Sequence, residues 1–236
     1  MRNSWIYLLA IITILPVFTN CSKKSDDNSN SPTPLTVTDS DGNVYQTIKI
    51  GTQVWTTENL KTTKYNDGTA IPFVTGSTEW SNLTTGGYCW HSNIAAGKNA
   101  YGALYNWFTV STGKLAPRGW HIPSDAEWTV LTDFLGGESV AGGKMKSTGN
   151  IEAGTGLWYL PNEGATNETG LSIVAGGFRG PTGEFWNIGF SGDLWSSTES
   201  IASASWYRYP VSSGGNINRN YYNKTGGMSV RCIRYF

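Results

Sequence analysis

Alternation of apolar and polar residues is clearest in VTDSDGNVYQTIKIGTQVW, residues 37–55. It sets Val44, Gln46, Ile48 and Ile50 on one side and Tyr45, Thr47 and Lys49 on the other, the period of two that a β-strand requires. Asp41-Gly42 and Gly51-Thr52 supply turns, so the pattern predicts an opening hairpin that returns through Val54-Trp55. The period then changes. In NAYGALYNWFTV (99–110) Ala100, Leu104, Trp107 and Phe108 recur at helical spacing, which predicts a first helix with one apolar stripe.

A second helix is announced by PRGWHIPSDAEW, residues 117–128, which also gathers His121, Ser124, Asp125 and Glu127 into seven residues. That cluster invites a catalytic reading, but a helix start accounts for most of it. Ser124 and Glu127 stand in the S-x-x-E spacing of a capping box. Asp125 falls in the first turn, where the helix dipole favours a negative charge. Trp128, Leu131 and Leu135 form the inward face and Gly136-Gly137 the stop. Beyond this helix the chain turns glycine-rich. Strand-like pieces recur at LSIVAGGFR, FWNIGFSGDLWSS, SASWYRYPVSS and GGMSVRCIRYF, an antiparallel set separated by turns. Strands, two helices and more strands predict an α+β domain in which the two helices flank a small antiparallel sheet.

Residues 1–20 read as an export signal: Arg2 precedes an almost wholly apolar run from Trp5 to Phe18, too short to span a bilayer comfortably. Cys21 follows directly, and the site resembles the looser lipoboxes of Bacteroidetes lipoproteins, with Asn20 where a smaller residue is usual. On that reading Cys21 is acylated and, with more than one acyl chain, holds the protein at a membrane. Residues 21–35 carry SKKSDDNSNSPTP, a polar tether with nothing large enough to pack. Its acidic start resembles the signals that send such lipoproteins to the cell surface, so the expected location is the outer membrane. Residues 36–236 then form one domain.

Seventeen basic and seventeen acidic residues cancel, which removes the electrostatic case for nucleic acid. Charged residues make up only 14% of the chain, against 29 glycines and 11 tryptophans. That balance suits a loop-rich exported domain whose rings serve packing and contact.

DGNVYQTIKIGTQVWTTENLKTTKYNDGTAIP, YGALYNW, PRGWHIPSDAEW, GGFRGPTGEF, WSST and SVRCIR follow one another in the order typical of the Fibrobacter succinogenes major paralogous domain. The resemblance runs from about Val37 to Arg234. It implies an exported bacterial protein and a variant of the C-type-lectin-like fold shared with formylglycine-generating enzymes; it brings no settled activity. Relatives read Cys-Pro-x-Gly-Trp where this chain has Ala116-Pro117-Arg118-Gly119-Trp120, so the implied partner of Cys232 is missing. Either Cys232 pairs with Cys89, or both are free thiols.

Catalytic sets are scarce. Formylglycine-type oxidation needs reactive cysteines before the last strand, and GGFRGPTGEFWNIG has none. His91 and His121 are the two histidines, and they do not stand at metal-ligand spacing. Gly189-Phe190-Ser191-Gly192 is one residue short of a nucleophile elbow. Leu160-Pro161-Asn162 and Trp186-Asn187-Ile188 lack the carboxylates of a calcium lectin site. No cofactor is expected. Glu184, Asp193 and Glu199 lie in loops and could converge as a glycan-cleaving set. The remaining signal is WYRYPVSSGGNINRNYYNK (206–224), dense in Trp, Tyr, Asn and Arg, the residue types of adaptable contact surfaces. Trp206, Arg208, Asn218, Arg219, Tyr221 and Tyr222 are therefore the expected contacts for a glycan or protein ligand. The expected function is that of a lipid-anchored recognition module. An enzyme using the loop carboxylates and a structural envelope protein are the alternatives.

Overall fold

The structure, a computed structural model, describes Met1 and residues 35–235. The signal segment beyond Met1, Cys21 and all but the last residue of the tether lie outside the described residues. Every element below belongs to the unit Thr33–Phe236.

The strands are β1 (Thr36–Thr38), β2 (Val44–Ile50), β3 (Gln53–Thr56), β4 (Tyr88–Cys89), β5 (Leu104–Asn106), β6 (Gly176–Arg179), β7 (Phe185–Ile188), β8 (Leu194–Ile201), β9 (Ala204–Pro210), β10 (Ile217–Asn223), β11 (Gly227–Met228) and β12 (Ile233–Tyr235). Helices are short: α1 (Ser77–Ser81), α2 (Lys98–Tyr101), α3 (Trp107–Val110), α4 (Asp125–Phe134) and α5 (Glu138–Met145). Three antiparallel sheets result, ordered β1-β2-β3-β12, β10-β9-β8 and β4-β5-β11-β6-β7. The molecule is therefore mostly β. The expected α+β, C-type-lectin-like arrangement of two helices flanking one small sheet is not what the chain adopts.

The first expected helix explains much of that difference. Gly102 has φ +75°, and a Cβ there would lie 2.6 Å from Cβ of Asn59 and 2.9 Å from the Leu60 carbonyl. Only glycine fits there, and its non-helical backbone ends the helix, after which Ala103 N donates to the Leu60 carbonyl at 2.9 Å. The chain becomes β5, whose Leu104 and Tyr105 are buried on opposite faces between β4 and β11. Ala100, one of the four residues of the supposed stripe, is exposed. An apolar run buried on both faces is easily mistaken for a helical stripe, because helix and central strand both fill such positions.

The opening hairpin forms in the expected register, with Ile48 opposite Trp55. Tyr45 is buried on one face, its hydroxyl donating to Asp39 Oδ2 at 2.6 Å, and Ile50 on the other, while Val44 faces solvent. One core cluster lies between the five-stranded sheet and β8-β9, joining Tyr88, Tyr105, Met228, Trp195 and Tyr207. A second packs α4 and α5 beneath the opening sheet, with Trp55 and Trp128 rings 4.7 Å apart. A third holds Trp80, Cys89 and Leu104.

Glycine-rich loops leave many backbone carbonyls without sheet partners, and buried cations supply donors. Arg179 donates to the carbonyls of Val74, Thr75 and Gly183. Arg231 does the same for Thr56, Leu171 and Ser172 and also reaches Asn59 Oδ1. Lys146, fully buried, donates to Glu163, Val211 and Gly214 at 2.8–2.9 Å. Each cation replaces water for three or more acceptors that would be costly to bury unpaired.

Candidate functional site

PRGWHIPSDAEW folds as the capping pattern requires. Ser124 Oγ accepts from Glu127 N at 3.2 Å while Glu127 Oε2 accepts from Ser124 N at 2.7 Å. The other Glu127 oxygen holds His121 Nε2 at 2.7 Å. Burial alone would raise the Glu127 carboxyl, but the bonds from Ser124 and His121 hold it below the usual range. Ser124 hydrogen-bonds the acid and not the histidine, so no nucleophile–base pair is built. Asp125 turns to the β9-β10 hairpin instead: Arg208 Nη1 lies 2.5 Å from Oδ1 and Arg219 Nη2 2.9 Å from Oδ2.

The β9-β10 register then sorts the six expected contact residues. Tyr221 pairs with Trp206 and Arg219 with Arg208, which puts these four on one face. There the side chains are occupied with one another: the Arg219 guanidinium sits 3.5 Å over the Trp206 ring, Tyr221 meets Trp206 edge-on, and Arg208 is 2% exposed against Asp125. This face docks the hairpin on α4. Asn218 pairs with Tyr209 and Tyr222 with Ser205, so these two lie on the opposite face with Tyr207 and Asn220.

That opposite face carries a row of rings. Tyr209 stacks on Tyr207 at 5.0 Å, Tyr207 meets Tyr222 at 6.1 Å, and Tyr222 meets Phe178 of β6 edge-on at 5.5 Å. Phe178 pairs across the sheet with Trp186 on edge strand β7. The row thus begins at the inter-sheet core, where Tyr207 is buried, and ends in solvent at Trp186, which is 54% exposed. Tyr209, Tyr222 and Phe178 are half-buried. The hydroxyls of Tyr207, Tyr209 and Tyr222 donate to no protein group among the described residues, and none is sealed from solvent. Asn220 is exposed beside them. Asn218 spends both ends of its amide, on Asn216 and on the Tyr209 carbonyl, and Asn220 spends its oxygen on Tyr221 N but keeps its NH₂. Rings that are fixed by packing, with hydroxyls and one NH₂ unspent, can take a ligand that has both apolar and hydroxylated faces.

The three carboxylates expected in loops do not form a catalytic group, and Glu199 lies within β8 and not in a loop. Glu199 Oε2 is held by Lys224 Nζ at 2.6 Å. Asp193 is 3% exposed, accepts from the Ser191 hydroxyl, and is pushed up to about 7 by burial. Glu184 is exposed, and the Thr182 hydroxyl bonded to it holds its carboxyl low. Asp193 and Glu184 do share a neighbour, since both act electrostatically on Tyr222. Cys89 and Cys232 are free, buried thiols in different core clusters. Burial pushes the Cys89 thiol up to about 12 and Cys232 higher still, so neither is a nucleophile at neutral pH. Among the described residues no three His, Cys, Asp or Glu gather as metal ligands, and no helix is long and apolar enough to cross a membrane.

Reading composition alone selected Tyr222 and Asn218 but missed Tyr207, Tyr209, Phe178 and Trp186. The signal was present in SASWYRYP: alternation puts Tyr207 and Tyr209 opposite Trp206 and Arg208. Nothing in the local sequence places β6 and β7 alongside.

Fold and surface together define a mostly-β, multi-sheet domain with an aromatic surface and no assembled catalytic group among the described residues. The sequence pattern described as the Fibrobacter succinogenes major domain matches residues 48–234. The chain belongs to that family. No curated protein and no solved structure matches it.

Proposed function

We propose that the protein is a glycan-recognition module, held at the outer membrane by acylated Cys21. The observation that carries the reading is the ring row from Tyr209 to Trp186, with its unspent hydroxyls and the Asn220 NH₂. A sugar ring offers C–H faces to aromatic rings and hydroxyls to phenols and amides, and the neutral charge balance favours a neutral ligand. Asp193 lies sealed beneath the row, out of reach of a glycosidic oxygen, which favours binding over turnover.

A glycan array probed with the full chain tests the reading. The wild type is expected to retain a set of oligosaccharides that the Trp186→Ala, Tyr222→Ala double variant loses, while Trp206→Ala keeps it. Equal retention by both variants, or no retained glycan at all, contradicts the reading; the latter outcome would favour a structural envelope role. Anchoring is tested separately: Cys21→Ser is expected to move the protein from the membrane to the soluble fraction, and continued membrane association would refute acylation.

A further inference from the structure

A cavity of about 390 Å³ opens between the end of α1, α3 and the β8-β9 turn, where β10 ends. Clefts of this size are typical of small-ligand sites. Phe108, half-exposed, forms its apolar wall. Around the ring stand Asn82, Thr84, Ser203 and Asn223, with hydrogen-bonding groups the fold has left over. Asn82 spends its amide N–H on the Thr78 carbonyl at 2.9 Å and keeps its oxygen. Asn223 spends its oxygen on Thr225 N at 2.9 Å and on the Thr225 hydroxyl, and keeps its NH₂. Thr84 and Ser203 hydroxyls bond no protein group among the described residues. Lys224 brings the one charge among the lining residues, and it is already matched by Glu199.

We infer that this cleft is a second carbohydrate site, built for a single neutral sugar ring stacked on Phe108 with its hydroxyls on Asn82 and Asn223. An acceptor and an NH₂ donor facing one cavity complement adjacent hydroxyls, each of which both donates and accepts. The cancelled charge leaves no electrostatic reward for an acidic sugar. The site shares no residue with the ring row and stands whether or not the row binds.

Methyl glucoside, methyl galactoside, methyl mannoside and glucuronate, titrated into the full chain and followed by the NMR signals of the Asn82 and Asn223 amides, provide the test. At least one neutral glycoside is expected to shift both signals, and glucuronate neither. Asn223→Ser keeps an acceptor for the turn but removes the NH₂, and Phe108→Ala removes the stacking wall. Each is expected to raise Kd about tenfold, the equivalent of one lost hydrogen bond or ring contact. Trp186→Ala is expected to leave this binding unchanged. The inference fails if no neutral glycoside shifts the two amides, if glucuronate binds as well, or if binding survives both cleft substitutions. Loss on Trp186→Ala would also sink it, by assigning the binding to the ring row.

Discussion

Asp193 is the residue at which burial and charge conflict most plainly. Its carboxyl is pushed from an ordinary 3.8 up to about 7, against the bond from Ser191. A folded pKa above the unfolded one means that the fold prefers the protonated acid. The stability this contributes is complete below about pH 4 and is lost as the pH rises through about 7. Asp193→Asn, which can still accept from Ser191, removes that loss. In thermal unfolding it should match the wild type near pH 4 and melt higher at pH 8; a lower melting point at pH 8 would contradict the assignment. The three buried cations show the reverse economy. Lys146, Arg179 and Arg231 look like surface charges in the sequence, because nothing local announces a carbonyl 60 or more residues away. Burial brings Lys146 down to about 8, so it stays largely charged at neutral pH and keeps its three acceptors satisfied.

At the scale of elements, local signals were legible and long-range ones were not. The S-x-x-E box of α4 and the Asp41-Gly42 turn act within a few residues, and both form as the sequence indicates. The supposed helix over 99–110 failed because Gly102 leaves helical geometry and the chain after it pairs with Leu60, β4 and β11, partners that only the folded chain provides. Asp125 joins both kinds. It sits in the first turn of α4, yet its carboxylate bridges Arg208 and Arg219 of the β9-β10 hairpin. Removing it strands a guanidinium that is 2% exposed. Asp125→Ala should therefore cost about 3 kcal/mol or more in denaturant unfolding, whereas Ser124→Ala should cost only about 1 kcal/mol. Equal costs would mean that Asp125 acts merely as part of the cap. Because Arg219 and Arg208 hold the Asp125 carboxyl low against the effect of burial, this stability should be present at neutral pH. It should fall away as the pH drops below the usual carboxylate range.

Taken as a whole, the molecule uses its hairpin on two sides for two purposes. One side, with Trp206, Arg208, Arg219 and Tyr221, is tied to α4; the other continues through Tyr207 and Tyr222 onto Phe178 and Trp186. Composition singled out this hairpin, but only its register separates the side tied to α4, on which Tyr221 is still 51% exposed, from the ring row. Oxidative footprinting of the full chain, with and without a glycan retained on the array, measures this division directly. Protection of Trp186, Tyr209 and Tyr222, with Trp206 and Tyr221 unchanged, is the predicted result. Protection of Trp206 and Tyr221, with Trp186 and Tyr222 still reactive, would contradict it.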